Sequence, residues 1–314
     1  MTIQLWLAAH KVRRQFGKGD KKRDAGQKTP ADIARTDNIV YGDDKKLRKW
    51  QLLDVYRPKA AEGKLPVIVS VHGGAWVYGD KDVYQFYCMK LAQRGFAVVN
   101  FSYRLAPEAK FPASLEDTER VFRWIGAHAA EYGFDTDNIF AVGDSAGAHL
   151  LALYASAQTN SSFAAQFPFM QEAQGSTAPA PRLRGIALNC GKYRMDTQLP
   201  GEEQIGLLLK ALMPGGGTAA ELEQINASGH VTEAFPPAYV MTCRGDFLRE
   251  QAPFMTQALV AAGVRHVYRC YGTETQPLWH VFHCDPALPE AVACNDEECA
   301  FFRSLMSSGD GAAT

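Results

Sequence analysis

Seven stretches of the chain are dense in apolar, mostly β-branched or aromatic residues: 50–58 (WQLLDVYRP), 66–72 (PVIVSVH), 96–102 (FAVVNFS), 139–144 (IFAVGD), 185–190 (GIALNC), 237–243 (PAYVMTC) and 266–272 (HVYRCYG). Several are nearly continuous rather than alternating, as strands buried on both faces should be. Helical patterns fall between or after them, at about 82–94, 114–130, 146–158, 250–262 and 289–307. Strand followed by helix, repeated, predicts an α/β fold. Its central sheet is mostly parallel with helices on both faces, because parallel neighbours must be joined by crossovers.

Two regions depart from the alternation. One runs from the start to about residue 45, and the other covers about 191–235. In the second, Glu202 to Met213 reads as a helix and Pro214 to Thr218 breaks it. Long insertions at such a sheet edge commonly cover a site. The expected organisation is an N-terminal arm over 1–45, an α/β body over 46–308 interrupted by the insertion, and a disordered tail over 309–314. Residues 159–181, polar and rich in Ala and Pro, read as a surface loop.

Composition adds limits. The chain has 314 residues, 46% hydrophobic and 21% charged, with a net charge of −1, so nothing global points to nucleic acid. The start is locally basic: Lys11, Arg13, Arg14, Lys18, Lys21, Lys22 and Arg23 face only Asp20 and Asp24 within the first 24 residues. It reads as a solvated arm, with contact to anionic lipid as the alternative. No leader pattern or span of about 20 apolar residues is visible, so no stable membrane insertion is expected. The seven cysteines are irregularly spaced and several sit in apparent strands, which fits free buried thiols in a reducing cytoplasm. His283, Cys284, Cys294 and Cys299 lack the tight pairing of a zinc site.

The chemistry centres on "IFAVGDSAGAHLLALYASA". Here Gly143-Asp144-Ser145-Ala146-Gly147 joins an apolar strand to a helix. Glycines on both sides allow a sharp turn that lifts the serine to the carboxyl edge of the sheet, beside the free N–H groups of the next helix. A serine there becomes a nucleophile only if a histidine takes its proton and an acid orients that histidine. Asp246, three residues after the strand 237–243, sits at the same edge; Asp196 is the weaker substitute. His280 and His283 both lie in the loop after the last strand, and the pattern of elements alone leaves the pair open. A second glycine cluster, "VHGGAWVYGDK", follows the strand 66–72. Gly73 and Gly74 can turn bare amides toward a developing oxyanion, with Ala146 N–H as a further donor. His72 reads as a brace for that loop.

Taken in order, "HGGAW", "GDSAGAHL", "DFL" and "HVF", with "FSYRLAPEAKFPASLED", resemble the hormone-sensitive-lipase-like branch of the α/β-hydrolases over about residues 50–305. The resemblance implies the α/β-hydrolase fold, a small helical cap built from both departing regions, about 1–45 and 191–235, and a serine carboxylesterase without metal or organic cofactor. It implies Ser145 as nucleophile, Asp246 as acid, His280 as the histidine of His-x-Phe, and Gly73, Gly74 and Ala146 as oxyanion donors. Ala75 stands where many members have a third glycine, and Ala148 where many have a second one after the serine motif. Both departures leave backbone donors intact and change the pocket wall. The expected substrate is a short-acyl ester, acetyl to butyryl, with acetylated carbohydrates among the candidates. Trp76, Tyr78 and His283 are expected to line the site, and the protein to be a monomer or homodimer. The competing reading is an arylformamidase-type amide hydrolase, since His-Gly-Gly-x-Trp also resembles those enzymes.

Overall fold

The computed structural model describes residues 3–172, 179–195, 202 and 205–306. Its centre is an eight-stranded sheet: β1 (Ile33–Val40), β2 (Leu52–Pro58), β3 (Leu65–Val71), β4 (Ala97–Phe101), β5 (Phe134–Asp144), β6 (Leu183–Asn189), β7 (Ala238–Cys243) and β8 (His266–Tyr271). The spatial order is β1-β2-β4-β3-β5-β6-β7-β8. Among the described residues, the β1–β2 and β2–β4 pairings are antiparallel and the other five parallel.

The near-continuous apolar runs have a direct structural reason. Successive residues of a strand point to opposite faces, and here both faces are covered. Val67, Val69 and Val71 join one core with Val99, Phe101, Ala141 and Leu188. Ile68 joins the other core with Val98, Phe140, Val142, Ala187 and Met241.

The helices are α1 (Ile3–Arg23), α2 (Lys81–Ala92), α3 (Ala113–Ala127), α4 (Ala129–Tyr132), α5 (Ala146–Thr159), α6 (Ser161–Ala164), α7 (Pro168–Glu172), α8 (Ile205–Leu212), α9 (Ala219–Gln224), α10 (Ala252–Ala261) and α11 (Pro289–Arg303). Helix α5 is buried almost throughout its length, which is why its sequence is apolar all round rather than striped. None of the helices among the described residues is long and apolar enough to cross a membrane. All seven cysteines are free thiols, and only Cys270 is not buried.

Three expectations change. Residues 33–40, assigned to the arm, form the outer strand β1 of the sheet. Its sequence, IARTDNIV, escaped the apolar pattern because one edge strand faces water over most of its length. Strand β5 begins at Phe134, before the apolar run at 139, where the pairing with β3 shifts register. The segment 159–181 carries α6 and α7 rather than an open loop; its residues 173–178, like Asp196 and the tail 309–314, lie outside the described residues. Helices α1 and α8 pack together.

Candidate active site

Ser145 stands between the last residue of β5 and the first of α5, with φ of 53°. That conformation is strained for a residue with a side chain, and the glycines around it make it possible. A Cβ on Gly147 would collide with the carbonyl oxygens of Val71 and His72, and one on Gly143 with the backbone of Gly147. The amide of Ser145 donates to Asn189 O at 2.8 Å, tying the turn to the end of β6.

Residues far apart in the chain meet here. His280 Nε2 lies 3.0 Å from Ser145 Oγ, and His280 Nδ1 lies 2.6 Å from Asp246 Oδ1. Asp246 is buried and also accepts from Leu248 N at 2.9 Å and from Thr242 Oγ1 at 2.8 Å. Burial by itself would raise its pKa; the hydrogen bond and charge of His280, with the Leu248 and Thr242 donors, outweigh that and hold the carboxyl below its ordinary value. An ionised Asp246 fixes the proton of His280 on Nδ1, so Nε2 is the nitrogen that accepts from the serine hydroxyl.

His283 is not part of this chain of contacts. It is 1% exposed, its Nε2 is 3.5 Å from Cys284 Sγ, and its Nδ1 has no partner among the described residues. Burial pushes its pKa down to about 3, so it is a neutral core imidazole packed edge-on against Tyr87.

The glycine loop after β3 is built tightly. Gly74 has φ of 118°, and its carbonyl accepts from Val77 N at 3.1 Å and Tyr78 N at 2.9 Å. Ala75 and Trp76 also have positive φ, 52° and 62°. The Gly73 amide, expected to face the oxyanion, instead donates to Tyr84 Oη at 3.0 Å. Among the described residues, the amides of Gly74, Ala75 and Ala146 carry no such bond. His72 braces it as expected: Nδ1 is 2.7 Å from Gly73 O, the ring stacks on Tyr103 at 4.0 Å, and burial lowers its pKa to about 4.

Trp76 and Tyr78 are committed to the protein. The Trp76 indole is buried and donates to His149 Nδ1 at 3.1 Å, while Tyr78 Oη donates to Asp20 at 2.7 Å. His149, on α5, has its Nε2 2.8 Å from Ile225 O. It joins the glycine loop, the nucleophile helix and the segment after α9, a role its isolated position in the sequence gave no signal for. Tyr84 was missed for the same reason. Phe247, 47% exposed, lies beside the site with its ring centroid 4.5 Å from that of His280.

Comparison with known proteins follows the same lines. The BD-FAE family description matches residues 53–199. Versiconal hemiacetal acetate esterase of Dothistroma septosporum is 27% identical over 249 residues, 76% of this chain and 72% of that protein. Carboxylesterase NlhH of Mycobacterium tuberculosis is 31% identical over 214 residues, which is 67% of this chain and 65% of the relative, slightly under two thirds of its length. Esterase B from Lactobacillus rhamnosis superposes with a TM-score of 0.83 at 25% identity, covering 97% of this chain and 96% of that one. A further structure of it, inhibited by a C4–C4 tributyrin phosphonate, has a TM-score of 0.83 at 26% identity over 96% of this chain and 95% of that one.

Proposed function

We propose, on the premise that the chain is an α/β-hydrolase and a carboxylic ester hydrolase of the hormone-sensitive-lipase-like group, that it cleaves short-acyl esters through an acyl-serine. The observation that carries this reading is the contact series Asp246–His280–Ser145, at 2.6 and 3.0 Å, beside a loop with unengaged amides. His280 Nε2 takes the serine proton as Oγ attacks the ester carbonyl, and Asp246 steadies the imidazolium that results. The oxyanion collects on the amides of Gly74, Ala75 and Ala146, each worth roughly 3 kcal/mol in the transition state. His280 then protonates the departing alcohol. Water, deprotonated by His280, attacks the acyl carbonyl and releases the acid with Ser145 restored.

An acetate esterase and a butyryl-type phosphonate complex among the relatives support acetyl to butyryl as the acyl range. Helix α1 and the segment carrying α8 and α9 act as the cap. Trp76 and Tyr78, the aromatic side chains that suggested a carbohydrate alcohol, are bonded within the protein. The alcohol instead meets Phe247, next to the base that protonates it.

The test is a panel of p-nitrophenyl esters from acetyl to dodecanoyl, run beside acetylated sugars and an N-formyl aniline, with a fluorophosphonate label mapped by mass spectrometry. Highest kcat/KM at acetyl to butyryl and labelling on Ser145 are expected. A preference for the formamide moves the enzyme to the amide hydrolases; labelling elsewhere removes the proposed nucleophile.

A further inference from the structure

Helix α1 has two unlike faces. Ala9 is buried on the inner one, where Arg13 donates to Val77 O at 2.7 Å and Ala106 O at 3.0 Å and pairs with Glu108. Asp20, the helix's only acid, accepts from Tyr78 and pairs with Arg23, which in turn donates to Val83 O. These bonds hold the helix against the body of the protein and fix which side points outward.

The outward side carries Ile3, Leu7, Lys11, Arg14, Lys18, Lys21 and Lys22, all exposed. Their spacing of three and four residues places them on one stripe about 100° wide. The first two are apolar, with Ile3 78% and Leu7 54% exposed. The other five are cations, and none of them is in an ion pair among the described residues; the cations of α1 that do have acidic partners, Arg13 and Arg23, are those turned inward. A chain with a net charge of −1 thus concentrates five unpaired positive charges and two bare aliphatic side chains on one helix face. Helix α8, packed on α1, adds exposed Leu207.

We infer that this stripe docks the protein on an anionic lipid surface. Ile3 and Leu7 enter the headgroup boundary, and Lys11 through Lys22, spread over roughly 16 Å of helix, meet lipid phosphates. The choice among anions rests on the collinear apolar residues. A nucleic acid or an acidic peptide would match the charge and offer nothing to Ile3 and Leu7, whereas a bilayer interface offers both. The inference is independent of the esterase reading, because no residue of the stripe touches Ser145, Asp246 or His280.

The experiment is co-sedimentation of the full chain with phosphatidylcholine vesicles, with and without phosphatidylglycerol, at low and high salt. Binding only to the anionic vesicles and release by high salt are expected. The combined Lys11→Glu, Lys18→Glu, Lys22→Glu variant should lose at least about 100-fold in partitioning, and Leu7→Ser several-fold. Circular dichroism and p-nitrophenyl acetate turnover without vesicles, both expected unchanged, report folding; if the triple variant does not fold, the salt dependence of the wild type makes the same test. Equal binding to both vesicle types, no binding to either, or a triple variant that sediments like the wild type overturns the inference. So does insensitivity to Leu7→Ser together with equally tight binding to soluble heparin, which would mean a site for polyanions alone.

Discussion

Tyr84 holds Asp144: its hydroxyl lies 2.7 Å from Asp144 Oδ2, and both residues are buried. The same oxygen accepts the Gly73 amide, so one phenol joins the residue before the nucleophile to the glycine loop. Burial raises the pKa of Asp144 to about 6, against the opposing pull of the Tyr84 bond. Tyr84→Phe leaves a buried carboxyl and a buried amide each one partner short. A loss of about 2 kcal/mol in chemical denaturation is expected, with kcat down by about tenfold as the loop loses its register and KM little changed. An unaltered kcat would mean that the loop keeps its place without this link.

The two histidines of the last loop should separate cleanly. Ser145→Ala and His280→Ala are each expected to lower kcat by about 10⁶-fold, and Asp246→Asn by about 10⁴-fold with the fold retained. His283→Ala should instead cost about 2 kcal/mol of stability through the cavity it opens, with kcat within a few-fold of the wild type. Steady-state kinetics and urea unfolding on the same four proteins decide it.

Arg13 joins α1 to the glycine loop, and its value lies in the forked reach to two carbonyls rather than in the part-exposed pair with Glu108. Arg13→Lys keeps the charge and cannot span both oxygens. A fall in kcat of about fivefold, larger than any change in KM, is expected, and Arg13→Ala should do no worse than about tenfold. Equal activity of the Lys variant and the wild type would assign the effect to charge alone.

A buried acid behind the site should show in the pH dependence of stability. Glu298 is fully buried; Oε2 accepts from Asn189 Nδ2 at 2.8 Å, while Oε1 has no partner among the described residues. Burial raises its pKa to about 7, above the 4.5 of the unfolded chain. Across that window the native state keeps a proton the unfolded chain has lost, so the stability due to this group is fully present below about 4.5 and falls as pH rises to about 7. Glu298→Gln removes the slope. The variant should match the wild type near pH 4.5 and exceed it by about 3 kcal/mol at pH 8, as read by melting temperature against pH. A constant difference at all pH values would rule out titration of Glu298.

Much was legible in the sequence because it is local. Buried parallel strands demand apolar residues on both faces, so β3, β4 and β7 announced themselves. The turn at Ser145 needs bare α-carbons at 143 and 147 to avoid neighbouring backbone, and that need is written directly as glycine. Strand β1 was not legible, because an edge strand satisfies itself with polar side chains and carries no period that separates it from an arm.

What only the tertiary structure decided are relations between residues distant in the chain. Gly73 and Gly74 are alike in sequence; which amide stays unengaged depends on where Tyr84, eleven residues later, puts its hydroxyl. His280 and His283 are both in the same loop, and their difference arises from the 3₁₀ turn over Phe282–Cys284, which buries the second while the first meets Asp246. The basic arm had no readable outward side until Arg13, Asp20 and Arg23 found partners on the body of the protein. A sequence specifies side-chain chemistry and local backbone strain; orientation and hydrogen-bond occupancy follow only once packing has chosen which groups meet.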